Sequence, residues 1–185
     1  MREIEVKAKL GDEEKVTSEL KKLGAVFSEP IKQIDTVYTK IIGDVEEYLK
    51  NDHFVRIRER SDGRFIFTVK VPKAARENLA KTEHETEVKD AKELEQCLFL
   101  MGYKTSNKVT KIRRSCKIKD YEICLDEVEE LGTFVEIEKM VKDEEISDQD
   151  VLNELKNFLF SLGVERESEV RKGYDILMIE KLFGK

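Results

Sequence analysis

The 185-residue chain has no tryptophan, two prolines, nine glycines and three cysteines, and each scarcity excludes something. Cys97, Cys116 and Cys124 are odd in number and lack CxxC spacing, which argues against a disulfide framework and against a zinc site. A reducing cytoplasm is the simplest setting for them. No apolar run approaches the roughly 18 residues of a membrane span, and the start MREIEV has no signal-peptide core. A soluble protein is expected. No Gly/Ser-rich linker, low-complexity tract or composition break marks a boundary, so residues 1–185 are read as a single domain. The missing tryptophan, sparse glutamine and abundant Lys and Glu are compatible with a heat-adapted source.

Charge is what the chain has in excess. Charged residues make up 40% of it and hydrophobic residues 39%, against roughly 25% charged in ordinary globular proteins. So much charge requires either extensive surface or a polar interior. With 34 basic and 40 acidic residues the net charge is −6, which gives no general reason to expect a nucleic-acid or membrane partner.

A short pattern recurs: EIEVK at residues 3–7, ETEVK at 85–89 and VEIEK at 135–139. Each alternates apolar and charged positions as a half-buried strand does. Each also precedes a helical stripe that ends near a glycine. After the first come Val16, Leu20 and Leu23, closed by Gly24. After the second, Asp90 and Glu93 form a capping box ahead of Leu94, Cys97, Leu98 and Met101, with Gly102 following. After the third, Ser147 or Asp148 starts a helix burying Val151, Leu152, Leu155, Phe158, Leu159 and Leu162 before Gly163. Further strands are expected at 31–39, 53–60, 64–71, 108–118 and 120–126, giving about eight. Asp62-Gly63 marks a hairpin between two of them. Residues 72–81 read as a mobile basic loop, and 168–182 as a final helix carrying Val170, Tyr174, Leu177 and Met178.

The pleat sorts these strands into two faces. Arg56, Arg58 and Arg60 oppose Val55 and Ile57, while Thr68 and Lys70 oppose Phe65, Phe67 and Val69. Bulk solvation is the ordinary fate of a charged strand face. Here, however, Glu3, Glu5, Glu136 and Glu138 gather carboxylates, and Arg56, Arg58, Lys70, Lys111 and Arg113 gather cations. Magnesium or manganese seeks hard carboxylate oxygens, and a phosphate chain seeks Arg and Lys donors. A metal-bound polyphosphate meets both demands. Inside a sheet curled shut, such clusters would repel themselves unless a ligand neutralised them. On that reading Glu138→Ala and Arg113→Ala each abolish turnover while leaving the fold intact or stabilised.

In order along the chain, Glu3-x-Glu5-x-Lys7, Arg56-x-Arg58, Thr68-x-Lys70, Glu85-x-Glu87, Lys111-x-Arg113, Asp126 and Glu136-x-Glu138 resemble the CYTH, or triphosphate tunnel metalloenzyme, superfamily. The resemblance runs almost end to end. The runs LDEVEELGTFVEIE and GYDILMIEK are most similar to its class IV adenylyl cyclase branch and archaeal relatives. The resemblance implies an α+β fold: a closed eight-stranded antiparallel β-barrel forming a tunnel, with helices packed on the outside. It implies Mg2+ or Mn2+ held by Glu3, Glu5, Asp126, Glu136 and Glu138. It also implies a triphosphate gripped by Lys7, Arg56, Arg58, Lys70, Lys111 and Arg113, with Lys7, Lys70, Lys111 and Arg113 as the catalytic cations. Glu85 and Glu87 are read as orienting lysines or holding metal, against structural ion pairing, and Lys172 as an orienting residue capping the tunnel from the last helix, against simple solvation. Two metal ions would orient the triphosphate and activate the attacking oxygen. The implied activity is a phosphorus-oxygen lyase converting ATP to cyclic AMP and pyrophosphate. A hydrolase of tripolyphosphate, thiamine triphosphate or a nucleoside triphosphate stands beside it, as does a non-catalytic phosphate-binding protein. A homodimer is expected only by analogy. His53 and His84 lack ligand spacing, Cys124 reads as a packing residue, and Tyr38 and Tyr174 as core or lid aromatics.

Overall fold

The structure, a computed structural model, describes residues 2–51, 53–72, 81–142 and 147–184. Its eight strands form a curled antiparallel sheet accompanied by helices, an α+β fold. Chain contacts divide it into two compact units. The expected basic loop at 72–81 falls mostly outside the described residues. Among the described residues, no helix is long and apolar enough to cross a membrane.

The first unit comprises residues 1–30, 73–81 and 112–171. It contains β1 (Arg2–Lys9), α1 (Glu13–Lys22), β7 (Tyr121–Val128), β8 (Gly132–Val141), α4 (Asp148–Ser161) and the part of β6 (Lys104–Ile118) from Ile112 onward. Strand β8 lies between β7 and β1, and its register sets Glu138 opposite Glu5 and Glu136 opposite Lys7. The alternate residues Ile4, Val6, Ile123, Leu125, Val135 and Ile137 point the other way, into a core completed by helices α1 and α4. In α4 the buried positions are Val151, Leu152, Leu155 and Leu159, and Ser147 is its N-cap, accepting from the Gln149 amide at 3.2 Å. Burying these side chains is worth roughly 1.5–3 kcal/mol each, which holds the opposite, charged face of the sheet in place.

The second unit comprises residues 31–72, 82–111 and 172–185. Here the order is β5 (Lys81–Val88), β4 (Phe65–Pro72), β3 (Phe54–Arg60), β2 (Ile31–Thr39) and β6. The β3–β4 hairpin turns at Asp62-Gly63, with Gly63 at φ +84°, a conformation that favours glycine. Its apolar face, Val55, Ile57, Phe67 and Val69, packs with Tyr38 and Leu98 under α3 (Ala91–Leu100). A second cluster joins Val37, Tyr48 and Ile179, with Phe54 and Ile176 packed on it. It lies against α2 (Val45–Tyr48) and α5 (Tyr174–Leu182).

The glycine after each repeat closes its helix as expected. Gly24 donates to the Lys21 carbonyl and Ala25 to that of Leu20, the pair of bonds that ends a helix in a left-handed residue. Gly102 and Tyr103 do the same toward Phe99 and Leu98. The helix stripes are narrower than read from the sequence. Leu23 and Met101 are 54% and 57% exposed because each is a C-cap, past the last inward position, and Cys97 is exposed. The final helix begins at Tyr174 rather than 168. Gly173 is extended there, and the Val170 amide instead donates to the Lys7 carbonyl at 2.8 Å. Strand β6 starts at Lys104, four residues before the expected 108, and α2 has no counterpart in the sequence reading.

Candidate functional site

In the first unit, β1 and β8 bring Glu3, Glu5 and Glu138 together, with one carboxylate oxygen of each within 4.8 Å of the others. Three half-buried carboxylates at that separation repel one another. Burial, then Glu136, Glu3 and Glu5 push the Glu138 acid up to about 8 despite the opposing pull of Arg113. Hard oxygen donors at this spacing fit a divalent cation such as Mg2+ or Mn2+.

Asp126 and Glu136, the other two carboxylates assigned to metal, take a different arrangement. Arg113 donates to Asp126 through Nε at 2.7 Å and Nη2 at 2.6 Å, and Nη2 also reaches Glu136. Lys7 Nζ lies 2.9 Å from Glu136. Asp126 is fully buried, with Glu136 and Lys7 5% and 6% exposed. Burial alone would lower the pKa of the Arg113 guanidinium, but Glu136 and Asp126 outweigh burial, raise that pKa well above the usual value and hold the group protonated. Arg113 therefore relieves anionic repulsion, contrary to the view that its removal would relax the fold. Cys124 faces Glu136 in register; burial raises its thiol far above the usual range, in keeping with a packing role.

In the second unit, Arg58 donates to Asp35 through Nε at 2.6 Å and Nη2 at 2.8 Å, a bidentate pair fixed by their direct register across β2 and β3. Arg56 donates to Thr68 at 3.1 Å, to Asp35 at 3.3 Å and to Glu85 at 3.0 Å. Burial works to raise the Asp35 acid, but Arg56 and Arg58 prevail and hold it well below the usual range. Glu85 behaves alike: burial would raise it, yet the Thr68 hydroxyl and Arg56 lower it. Lys70 pairs with Glu83 at 2.6 Å, and Lys111, 3% exposed, holds its ammonium 4.9 Å from the Tyr174 ring centre. Of the remaining sequence candidates, Glu85 orients Arg56 and Thr68. Glu87 is exposed, Lys172 pairs with Glu180 at 2.5 Å, and Arg60 turns aside to Asp62.

Two participants escaped the sequence reading, Asp35 and Glu83. Asp35 shares a strand face with Gln33 and Val37, but only the register against Arg58 reveals its partner. The long connection from β2 to β3, which includes α2, is not a tight hairpin that would set that register. Glu83 is one strand step before Glu85 on the same face, a signal that was present in the alternation.

Carboxylates and cations are thus sorted along the strands of a curled antiparallel sheet. The CYTH domain model matches residues 1–174, and the chain belongs to that family. A putative adenylate cyclase of Methanocaldococcus jannaschii is 35% identical over 175 residues, covering 94% of this chain and 97% of that protein. Among solved structures, the PH1819 protein of Pyrococcus horikoshii is similar at a TM-score of 0.81 and 28% identity, covering 97% of this chain and 99% of that one. A putative adenylyl cyclase of Hippeastrum with a dominant triphosphatase activity shares the fold at a TM-score of 0.58 and 15% identity, covering 94% and 91% of the two chains.

Proposed function

We propose that the protein is a metal-dependent enzyme acting on a triphosphate, with an adenylyl cyclase-like conversion of ATP to cyclic AMP and pyrophosphate as its reaction. The observation that carries this reading is the convergence of Glu3, Glu5 and Glu138 oxygens within 4.8 Å, a donor set unfavourable without a cation. The eight strands are read as closing into a tunnel within one domain.

Glu3, Glu5 and Glu138 would hold Mg2+ or Mn2+, which supplies phosphate-charge neutralisation and activation of the attacking oxygen. Asp126 and Glu136 join that set to the extent that they exchange Arg113 and Lys7. Arg56, Arg58, Lys70 and Lys111 grip the phosphate oxygens, giving up carboxylate partners for the ligand. Such an exchange conserves hydrogen bonds, so the arginines are oriented before the phosphate arrives. In the cyclase reaction the ribose 3′-hydroxyl gives up its proton to solvent, its oxygen bonds to the α-phosphorus, the bond between that phosphorus and the oxygen bridging to the β-phosphate breaks, and pyrophosphate leaves.

The second reading, a triphosphatase in which water attacks the terminal phosphorus, is supported by the Hippeastrum neighbour. Incubation with magnesium or manganese and ATP, tripolyphosphate or thiamine triphosphate, followed by product identification, tests both. Cyclic AMP with pyrophosphate is expected. Orthophosphate alone assigns the hydrolase, and metal-independent binding without turnover leaves a phosphate-binding protein.

A further inference from the structure

Asn107 lies on the same face of β6 as Val109 and Lys111 and is 6% exposed. Its Nδ2 donates to the Asp175 carbonyl at 3.1 Å, which fixes the amide so that Oδ1 is the acceptor end. That Oδ1 is buried without a hydrogen-bond partner. A buried acceptor left unpaired is unfavourable and calls for an explanation. Gln33 Oε1, on β2 two residues before Asp35, is in the same condition.

A phosphate chain cannot satisfy either atom, because its oxygens are hydrogen-bond acceptors. The complementary group is an N–H or O–H donor. Asn107 and Lys111 both meet the first turn of α5, through Asp175 and Tyr174 respectively. Four residues of strand separate their backbones by about 13 Å. A donor at Asn107 thus stands well away from a phosphate held by Lys111, where the organic part of a triphosphate ester lies. The surroundings suit a flat apolar group: Ile176, next to Asp175, packs with Val37, Tyr48 and Phe54. The α5 turn that Asn107 meets starts at Gly173, whose backbone is extended.

We infer that Asn107 Oδ1 is a recognition group for the organic part of a nucleoside triphosphate, accepting a hydrogen bond from the base amine or the ribose 2′-hydroxyl. This inference rests on the triphosphate reading above and adds to it a preference for a nucleotide over inorganic tripolyphosphate.

The test is calorimetric titration of the wild-type protein and Asn107→Leu with the magnesium complexes of four compounds: ATP, purine riboside triphosphate, 2′-deoxyATP and tripolyphosphate. Wild type is expected to bind ATP at least about tenfold more tightly than the analogue lacking the responsible donor. Loss with purine riboside triphosphate assigns the 6-amino group, and loss with 2′-deoxyATP the 2′-hydroxyl. Asn107→Leu is expected to erase that gap while leaving tripolyphosphate within about twofold. Equal wild-type affinity for the three nucleotides overturns the inference, and this arm decides the matter if the leucine variant does not fold. A leucine variant weakened equally toward all four compounds also overturns it, since that is the signature of a purely structural asparagine. Failure of all four to bind overturns the triphosphate reading as well.

Discussion

The two charged clusters solve the same electrostatic problem differently. In the second unit the cations have carboxylates built around them: Asp35 between Arg58 and Arg56, Glu83 on Lys70, Glu85 on Arg56 and Thr68. In the first unit Arg113 and Lys7 serve Asp126 and Glu136, while Glu3, Glu5 and Glu138 crowd each other. The cation cluster is compensated and preorganised; in the carboxylate cluster three acids crowd one another. On the function proposed above, a metal ion would make up the charge deficit at the crowded acids, and an anion would exchange in among the paired cations.

The largest expected effect comes from breaking the compensated half of the carboxylate cluster. Arg113→Ala removes the guanidinium that the buried Asp126 and Glu136 share and should destabilise the protein by about 3–5 kcal/mol, measurable by urea denaturation. An unchanged midpoint would mean that the two carboxylates are not held by Arg113.

The next effect sharpens the deficit. The folded-state acid of Glu138 is raised to about 8, whereas an unfolded glutamate titrates near 4.3. The folded state therefore binds the extra proton between those values, and metal-free stability falls as pH rises from about 4.5 to about 8, by a few kcal/mol at most given its half-buried position. Glu138→Gln should remove this slope and raise metal-free stability at pH 8. In the wild type, saturating manganese should stabilise more at pH 8 than at pH 5. A slope retained in Glu138→Gln would assign the titration elsewhere.

The smallest effect probes the compensated cluster. Thr68→Val removes the hydroxyl shared by Arg56 and Glu85, and a shift of about 1 kcal/mol in unfolding free energy is expected. A loss as large as that of Arg113→Ala would show that the two clusters are equally strained.

Much of this was legible in the sequence because alternation alone assigns a strand residue to a face. Glu3, Glu5 and Glu138 were grouped from the pleat, and the structure brings their oxygens together. Asp35 was not found because a face assignment gives no cross-strand partner; that depends on register, and no tight hairpin fixes β2 against β3. Charge type groups Arg113 with the cations, and like Arg56 and Arg58 it lies among carboxylates, here Asp126 and Glu136, which only the cross-strand register reveals. Asn107 gave no sign, because an orphaned acceptor is a property of packing. Ile179, 3% exposed, lies off the stripe of Val170, Tyr174, Leu177 and Met178 expected from the sequence, a stripe anchored on Val170, which precedes the helix.

The three thiols form a graded set of chemical reporters. Cys97 is exposed, while Cys116 and Cys124 are buried, with Cys116 raised to about 11 by burial. Alkylating reagents, which attack the thiolate, thus read the intact surface at one position and momentary opening of the interior at the other two. Because Cys124 stands directly across from Glu136, its modification rate is a clock for breathing of the carboxylate cluster, carried by the protein without any label.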